Sequence, residues 1–295
     1  MVGIAIINYK TFQKTINCIK SIRDTVKMDY KIYLLDNASG NESSEVLNNE
    51  YCGAEDVEVI LSEINYGYAR GNNICIRRML EDGCDMGLIS NNDIVCSAGA
   101  IDKMVMDLKE NPEYLLVGPK IISPQGDFQQ SIKMKPYTTG EYLRKSTYLA
   151  NFYMEEISIE REAIQKIDTF TEVSWVSGAF FAFDLQKMKE IEMFDPNTFL
   201  FFEEYILAAK AKKMGYKLGY EPEATVLHYH GASTGGGVNI ISKKAADTSE
   251  LYYFHTYTKV SCLFVVVLKA IRSLEVLYTF GKKRDLKSIK KYFFG

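Results

Sequence analysis

Two consecutive acids, Glu203 and Glu204, follow the nearly unbroken aromatic run Phe199-Leu200-Phe201-Phe202. Apolar walls and a neighbouring like charge both raise a carboxyl pKa, toward the value that a general base needs. The same pair also suits a solvated helix start, where the backbone dipole favours acids. Further on stands His228-Tyr229-His230. On a strand, alternation puts residues i and i+2 on one face, so both imidazoles could serve one divalent metal, or form a purely structural pair. The run from Gly231 to Gly237 reads as a lid over a substrate or as a simple loop.

Three polar clusters add to these. In Asn91-Asn92-Asp93, the single carboxylate of Asp93 can hold Mg2+ or Mn2+, with diphosphate oxygens as further ligands. The plainer alternative is a turn that opens a helix. In Asp36-Asn37-Ala38-Ser39, Asp36 could accept from a ribose hydroxyl or a base N–H, while Ser39 or Asn41 could cap the next helix. Asn65 to Asn73 sets two glycines and three asparagines around Arg70. Glycine permits close approach of backbone to a ligand, and Arg70 could stack on a base or pair with phosphate. The glycine spacing is not that of a dinucleotide fingerprint.

The elements that must position these residues follow from periodicity. Val2–Asn8 is an apolar run that ends in the polar pair Asn8-Tyr9, and it predicts a buried strand. Lys31–Leu35, Val57–Leu61, Met86–Ser90 and Tyr114–Val117 predict further strands, with helical patterns between them. Such alternation implies a mostly parallel sheet wound by right-handed crossovers. Ligands of such sheets bind beyond the carboxyl ends of the strands, so the polar clusters should meet at one rim. In the second half, Pro119–Thr139 reads as a long hairpin or loop and Trp175–Phe180 as a strand. A helix runs from Glu203-Glu204 to Met214, and Tyr216–Tyr220 and Thr225–Leu227 read as two strands. Phe264, Val267, Leu268, Ile271, Leu274 and Tyr278 mark the apolar face of a late helix, with Lys269 and Arg272 off that face.

Composition bounds the function. Of 295 residues, 47% are hydrophobic and 25% charged, which excludes a disordered chain, a collagen-like fibre and a small disulfide scaffold. A formal net charge of −3 argues against nucleic acid as a partner. From Leu251 onward, nine Lys/Arg face only two Asp/Glu, so an acidic body carries a basic, apolar tail suited to a polyanion or a membrane surface. None of the six cysteines forms a C-x-x-C pair, so reduced thiols in a cytosolic protein are expected. The N-terminal run shows no basic region or cleavage site of a signal peptide. The longest apolar stretch, Val260–Leu268, falls short of the about 20 residues that a spanning helix needs.

Taken in order, the motifs resemble family 2 of the inverting glycosyltransferases, in its rhamnosyltransferase-like branch. The matching segments are Ile6–Tyr9, Leu34–Ser39, Asn65–Asn73, Ile89–Asp93, Trp175–Phe180, Phe202–Glu204 and Leu227–Thr234, so the resemblance covers roughly residues 1–240. It implies a GT-A fold: a Rossmann-like α/β domain over residues 1–240, followed by a basic amphipathic helical tail over 241–295. It also implies a nucleotide-diphosphate sugar donor and a divalent metal, Mn2+ or Mg2+. By resemblance, Asn8, Tyr9, Asp36, Asn65, Gly67, Arg70, Asn91, Asn92 and Gly178 bind the donor. Asp93 takes the metal role of the family's D-x-D element, with His228 completing the metal or diphosphate site. Glu204 takes the place of the catalytic base, and Glu203 and Trp175 stand on the acceptor side.

Two departures stand out. The family pattern reads Glu-Asp-x-Asp-Leu with an Arg soon after. Here the second acid is Glu204, Ile206 replaces the later Asp, and Lys210 replaces the Arg. Glutamate keeps the chemistry and reaches one methylene further, which implies a shifted acceptor. The expected activity is metal-dependent inverting transfer of a hexosyl or deoxyhexosyl group to a hydroxyl of a glycan or lipid-linked saccharide, in bacterial surface polysaccharide synthesis. The expected place is the cytoplasm, at the inner face of the membrane through the tail, with room for a homo-oligomer. Ile206 motivates an alternative, a non-catalytic partner that keeps the fold and directs an active transferase. Nucleotidyl transfer would need a glycine-rich, basic phosphate loop near the N-terminus, and Ile6–Phe12 has none.

Overall fold

Val2–Asn8 is buried at nearly every position, as a central parallel strand covered on both faces must be. The computed structural model describes residues 1–147, 153–229 and 239–294. His230 and the run Gly231 to Gly237 therefore lie outside the described residues. The strands are β1 (Val2–Asn8), β2 (Tyr30–Asp36), β3 (Val57–Leu61), β4 (Met86–Asn91), β5 (Ile94–Cys96), β6 (Tyr114–Ile122), β7 (Phe128–Gln129), β8 (Ile132–Lys133), β9 (Thr171–Val173), β10 (Trp175–Val176), β11 (Phe180–Asp184) and β12 (Lys217–His228). The helices are α1 (Phe12–Thr25), α2 (Ser43–Tyr51), α3 (Gly67–Glu81), α4 (Ala100–Glu110), α5 (Thr139–Ser146), α6 (Met154–Gln165), α7 (Leu185–Glu190), α8 (Glu203–Met214), α9 (Ile240–Tyr257), α10 (Cys262–Lys282) and α11 (Leu286–Phe294).

The main sheet runs β3-β2-β1-β4-β11-β6-β12-β5, with β7 paired to β6 and β9 to β12. β1 to β4 form a parallel block, as the alternating pattern predicts. Its register sets Asn8 level with Asp36, and Ile7 level with Asn91, so the polar strand ends share one rim. β11 enters antiparallel between β4 and β6, with Phe180 opposite Ser90. Its first residues, and Gly178 just before them, therefore reach the same rim. Two apolar layers hold the sheet. Cys18, Ile22, Leu47, Met104 and Val105 pack one face. Ala69, Ile76, Met79, Met188 and Leu207 pack the other. Gly87 is needed where it stands, because a Cβ there would lie 2.1 Å from the Phe183 ring.

Three expectations change. β5 interposes a short strand directly after Asp93, where a helix start was expected. The two strands expected at 216–227 are one, β12, with a register shift between Glu221 and Thr225. Glu221 is buried in that stretch and bonds Lys103 Nζ at 2.7 Å, a long-range pair that sequence periodicity cannot show. On α10 the buried residues are Leu268, Arg272, Val276 and Phe280, while Val267, Leu274 and Tyr278 face outward. Arg272 turns inward because Glu250 and Glu275 receive its guanidinium, at 2.6 and 3.0 Å. Among the described residues no helix is long and apolar enough to cross a membrane. All six cysteines are free thiols.

Candidate active site

The ends of β1, β2 and β4 knit into one polar network. Asn8 Nδ2 donates to Asp36 Oδ1 at 2.7 Å, and Asn8 Oδ1 accepts from Thr15 Oγ1 at 2.7 Å. Asp36 Oδ1 also accepts from Ser39 Oγ, and Oδ2 accepts from Ser44 Oγ and the Ser39 amide. Asn92 Nδ2 donates to Thr11 and Thr15 hydroxyls at 2.8 and 2.9 Å. Asn8, Asp36 and Asn92 are all buried. Their side chains thus engage one another and fix the backbone at the rim. Tyr9, next to them, is half-buried and carries Lys10 Nζ over its ring at 5.0 Å.

Asp93 and His228 meet at the edge of this network. His228 Nε2 lies 3.2 Å from Asp93 Oδ1, and the Tyr229 amide donates to the Asp93 carbonyl at 2.9 Å. Gln129 Nε2 donates to the His228 carbonyl at 3.0 Å, which leaves Gln129 Oε1 to accept from His228 Nδ1 at 3.0 Å. With Nδ1 as the donor, the neutral ring presents the Nε2 lone pair to a carboxylate oxygen. Two lone pairs at that distance need a proton or a cation between them. A carboxylate, an imidazole and an outer partner that fixes the tautomer are groups that could serve a divalent cation. Lys14 Nζ stands 3.8 Å from Asp93 Oδ2 and donates to the Tyr229 carbonyl. No group of three His, Cys, Asp or Glu converges among the described residues.

The segment Asn65–Asn73 grips protein chain. Asn65 Oδ1 accepts from Asn37 Nδ2 and the Gly67 amide, and caps the turn into α3. Gly67 has φ +72°, and a Cβ there would lie 2.2 Å from the Phe199 carbonyl oxygen. Tyr68 N donates to that same carbonyl at 2.8 Å. Arg70 Nε donates to the Pro196 carbonyl at 2.7 Å, and Asn73 bonds Phe194 at both its amide and carbonyl. The contacts of Gly67, Tyr68, Arg70 and Asn73 all fall on the stretch that leads into Glu203.

That stretch ends in Phe201 and Phe202 at φ 71° and 68°, left-handed values rare for bulky residues. The next two residues open α8 and are the acid pair. Glu203 is buried, and its Oε1 has no hydrogen-bond partner among the described residues. Burial and the charge of Glu204 push its pKa up to about 8. Glu204 is raised too, chiefly by burial, and is opposed by its own amide, the Gly178 amide and Lys133. Its Oε1 accepts from Gly178 N at 3.2 Å, while Tyr68 OH donates to the Gly178 carbonyl at 2.5 Å. A Cβ on residue 178 would lie 2.8 Å from Glu204 Oε1, so only glycine leaves this contact intact. The Asn91 amide donates to the Ala179 carbonyl at 2.8 Å, tying the acid side to the turn that carries Asp93.

Trp175 stands beside α8, its ring 5.6 Å from Tyr205. Ile206, at the position of the expected Asp, is buried. Lys210, left without that partner, donates to the carbonyls of Glu192 and Met193 at 3.3 and 2.9 Å. It thereby secures another positive-φ corner beneath the acid pair. Helix α9 braces the same region. Ser249 Oγ donates to the Leu200 carbonyl at 3.0 Å, and the Tyr252 and Tyr257 hydroxyls reach Asp195 Oδ2 at 2.8 and 2.5 Å. Sequence reasoning missed Lys14, Tyr68, Gln129 and Lys133. Only Tyr68 carried a signal, its place inside the Asn65–Asn73 motif.

Residues 3–182 match the model of glycosyl transferase family 2. The chain belongs to that family. It is 22% identical over 220 residues to the N-acetylglucosaminyl-diphospho-decaprenol L-rhamnosyltransferase of Mycobacterium tuberculosis, covering 69% of this chain and 68% of that one. It is 20% identical over 227 residues to the low-salt glycan biosynthesis hexosyltransferase Agl10 of Haloferax volcanii, covering 77% and 66%. Family 2 and its rhamnosyltransferase-like branch, expected from the motifs, are thus found. Among solved structures, GalNAc-T7 with UDP, GalNAc and Mn2+ superposes with a TM-score of 0.63 at 12% identity, over 99% of this chain and 58% of that one. A mannosyltransferase of Pyrobaculum calidifontis in complex with GDP-Man and Mn2+ gives 0.60 at 12% identity, over 97% and 73%. The fold is GT-A. The protein is a glycosyltransferase by family, and the family match ends before Glu203, Glu204 and His228.

Proposed function

We propose that the chain transfers a sugar, with inversion, from a nucleotide-diphosphate donor to a hydroxyl of a saccharide or lipid-linked acceptor. The carrying observation is Glu204: a half-buried carboxyl group, seated on a backbone amide, on the rim that also bears Asp93 and His228. Glu204 removes the acceptor hydroxyl proton as the oxygen bonds to the anomeric carbon. The bond from that carbon to the diphosphate oxygen breaks on the opposite face, and its electron pair leaves with the nucleoside diphosphate. Asp93 and His228 Nε2 would hold Mn2+ or Mg2+, which when bound neutralises charge on the departing diphosphate. Lys14, beside Asp93, adds a positive charge on the same side. Tyr9 and Asn91 lie where the nucleoside enters, while Asn8, Asp36 and Asn92 hold the backbone of that wall. Trp175 and Glu203 line the acceptor side. Of the two acids Glu204 is the base, because its carboxyl is seated on the Gly178 amide while Glu203 is the more deeply buried of the pair.

The tail serves acceptor delivery. Leu263, Val266, Leu274, Tyr278 and Phe294 are exposed, as are Lys269, Lys287 and Lys290 around them. Residues 241–295 form a unit that lies on the anionic inner face of a membrane, where each basic residue contributes about 1 kcal/mol. The mycobacterial relative is named for an acceptor on a decaprenol carrier, which agrees with that place. General-base help is typically worth 10²–10⁴-fold, so Glu204→Gln loses at least about two orders of magnitude in turnover with a panel of sugar nucleotides. Near-native turnover of that variant refutes the reading. Sedimentation with anionic liposomes tests the tail, and a protein that stays in the supernatant at low salt refutes the membrane contact.

A further inference from the structure

Lys133 is the largest unexplained charge near the acid pair. It lies on β8, antiparallel to β10, with Lys133 opposite Trp175. Its Nζ sits 4.2 Å from the centroid of Tyr137, 4.7 Å from Tyr205 and 5.3 Å from Trp175. Three rings thus close around one ammonium, and the Tyr205 hydroxyl bonds it. Ring faces stabilise a cation without neutralising it. The ammonium forms no ion pair among the described residues. Burial pulls its pKa down to about 8, so it is charged at neutral pH.

The charged groups around it single out one counter-ion. Glu160 is already answered by Lys145 Nζ at 2.9 Å and by the Tyr137 hydroxyl at 2.8 Å. Lys145 itself lies over the far side of Tyr137, at 4.4 Å. The other anion is Glu204, which immediately precedes the cage residue Tyr205. Glu204 has the Gly178 amide and, among the described residues, no ion pair. Glu203 and Tyr68 also stand against it, and both are raised by burial. The ladder fixes the spacing. Ser174 N donates to the Lys133 carbonyl at 2.8 Å and Ser177 N to the Ser131 carbonyl at 2.7 Å. The strand that leads to Gly178, the seat of Glu204, is therefore the one paired with the strand that carries Lys133.

We propose that Lys133 is a positioning residue whose ammonium, boxed by Tyr137, Trp175 and Tyr205, keeps Glu204 the ionised member of the acid pair. The inference rests on Glu204 as the base for its use in catalysis, but its physical content is independent of transfer. Its loss favours the protonated acid, so the base becomes competent only at higher pH.

The test reads the carboxyl directly. Protein carrying 13C at glutamate Cδ is titrated by NMR, with Glu204→Gln identifying the Glu204 signal. In Lys133→Met the Glu204 midpoint moves up by about one pH unit or more. Lys133→Arg, which stays charged, returns it most of the way. Lys133→Met retains the fold, since an apolar chain of similar length fills the cage, and thermal unfolding checks this. Lys133→Gln serves if it does not. The acid limb of sugar-nucleotide turnover moves in the same direction as the midpoint. A midpoint in Lys133→Met equal to that of the unsubstituted protein overturns the proposal, whether or not sugar is transferred. A midpoint that moves while Glu204→Gln keeps full turnover supports the tuning and removes the general-base reading instead.

Discussion

Asp36 and Glu203 both carry buried carboxyl groups, and they are held in opposite ways. Asp36 has hydrogen-bond donors on both oxygens, from Asn8, Ser39 and Ser44. Glu203 leaves Oε1 without a partner and lies beside a second acid. The donor-side wall is thus a saturated network in which each group is fixed by its neighbours, and such networks hold a backbone in place. The acid side is apolar and under-satisfied, which is costly for stability and favourable for proton transfer. A cleft that, as proposed, holds a charged nucleotide on one side and takes up a proton on the other has reason to be built from both.

The comparison is most severely tested at Asp93. Its replacement by Ala removes the proposed metal ligand. Losing only an outer partner of a metal-bound His typically costs 10–100-fold in affinity. Asp93→Ala should therefore weaken Mn2+-dependent donor binding by at least about 100-fold, as measured by calorimetry. Unchanged affinity with and without Mn2+ would remove the metal from this wall. Gln129→Ala should weaken Mn2+ affinity by about 10–100-fold through the tautomer of His228.

On the acid side, Gly67→Ala drives a Cβ into the Phe199 carbonyl at a left-handed position. Destabilisation by about 3 kcal/mol in denaturant melts is expected. A loss below about 1 kcal/mol would show that the stretch leading to Glu203 is not gripped as described.

Glu203 gives a pH signature. The unfolded chain ionises it near its ordinary 4.5, the folded chain only near 8. Between those values the folded state holds the extra proton, so stability falls as pH rises through the window and levels off above it. Glu203→Gln removes that slope. It should be the more stable protein at pH 8.5, by about 1–2 kcal/mol, with the gap closing toward pH 4.5. Parallel stability curves would mean that Glu203 is compensated after all. The smallest effect is Tyr68→Phe, which deletes the hydrogen bond to the Gly178 carbonyl. About 1 kcal/mol should be lost, with a fall in turnover and little change in donor affinity.

The parallel block and its polar strand ends could be read from the chain because each is written locally. An apolar run closes on Asn8, on Asp36 and on Asn91. The acid pair was visible for the same reason. What was not visible is made by distant segments. The box around Lys133 draws on residues 137, 175 and 205, and nothing near 133 marks it. Arg272 was placed on the wrong face of α10 because periodicity counts a guanidinium as polar, whereas Glu250 and Glu275 make its burial tolerable. Asn65, Gly67 and Arg70 also engage the protein's own chain, and that part was not legible because the partners, Asn37, the Phe199 carbonyl and the Pro196 carbonyl, lie far along the sequence.

The hydroxyls of Ser249, Tyr252 and Tyr257 belong to the C-terminal helices, yet their acceptors lie in the segment that delivers the acids. The last fifty-odd residues are therefore not interchangeable baggage. A chimera that borrows this portion from a relative would inherit a different footing for its reactive carboxylate, and a clone cut at residue 240 would be expected to purify as an intact sheet with a wandering base.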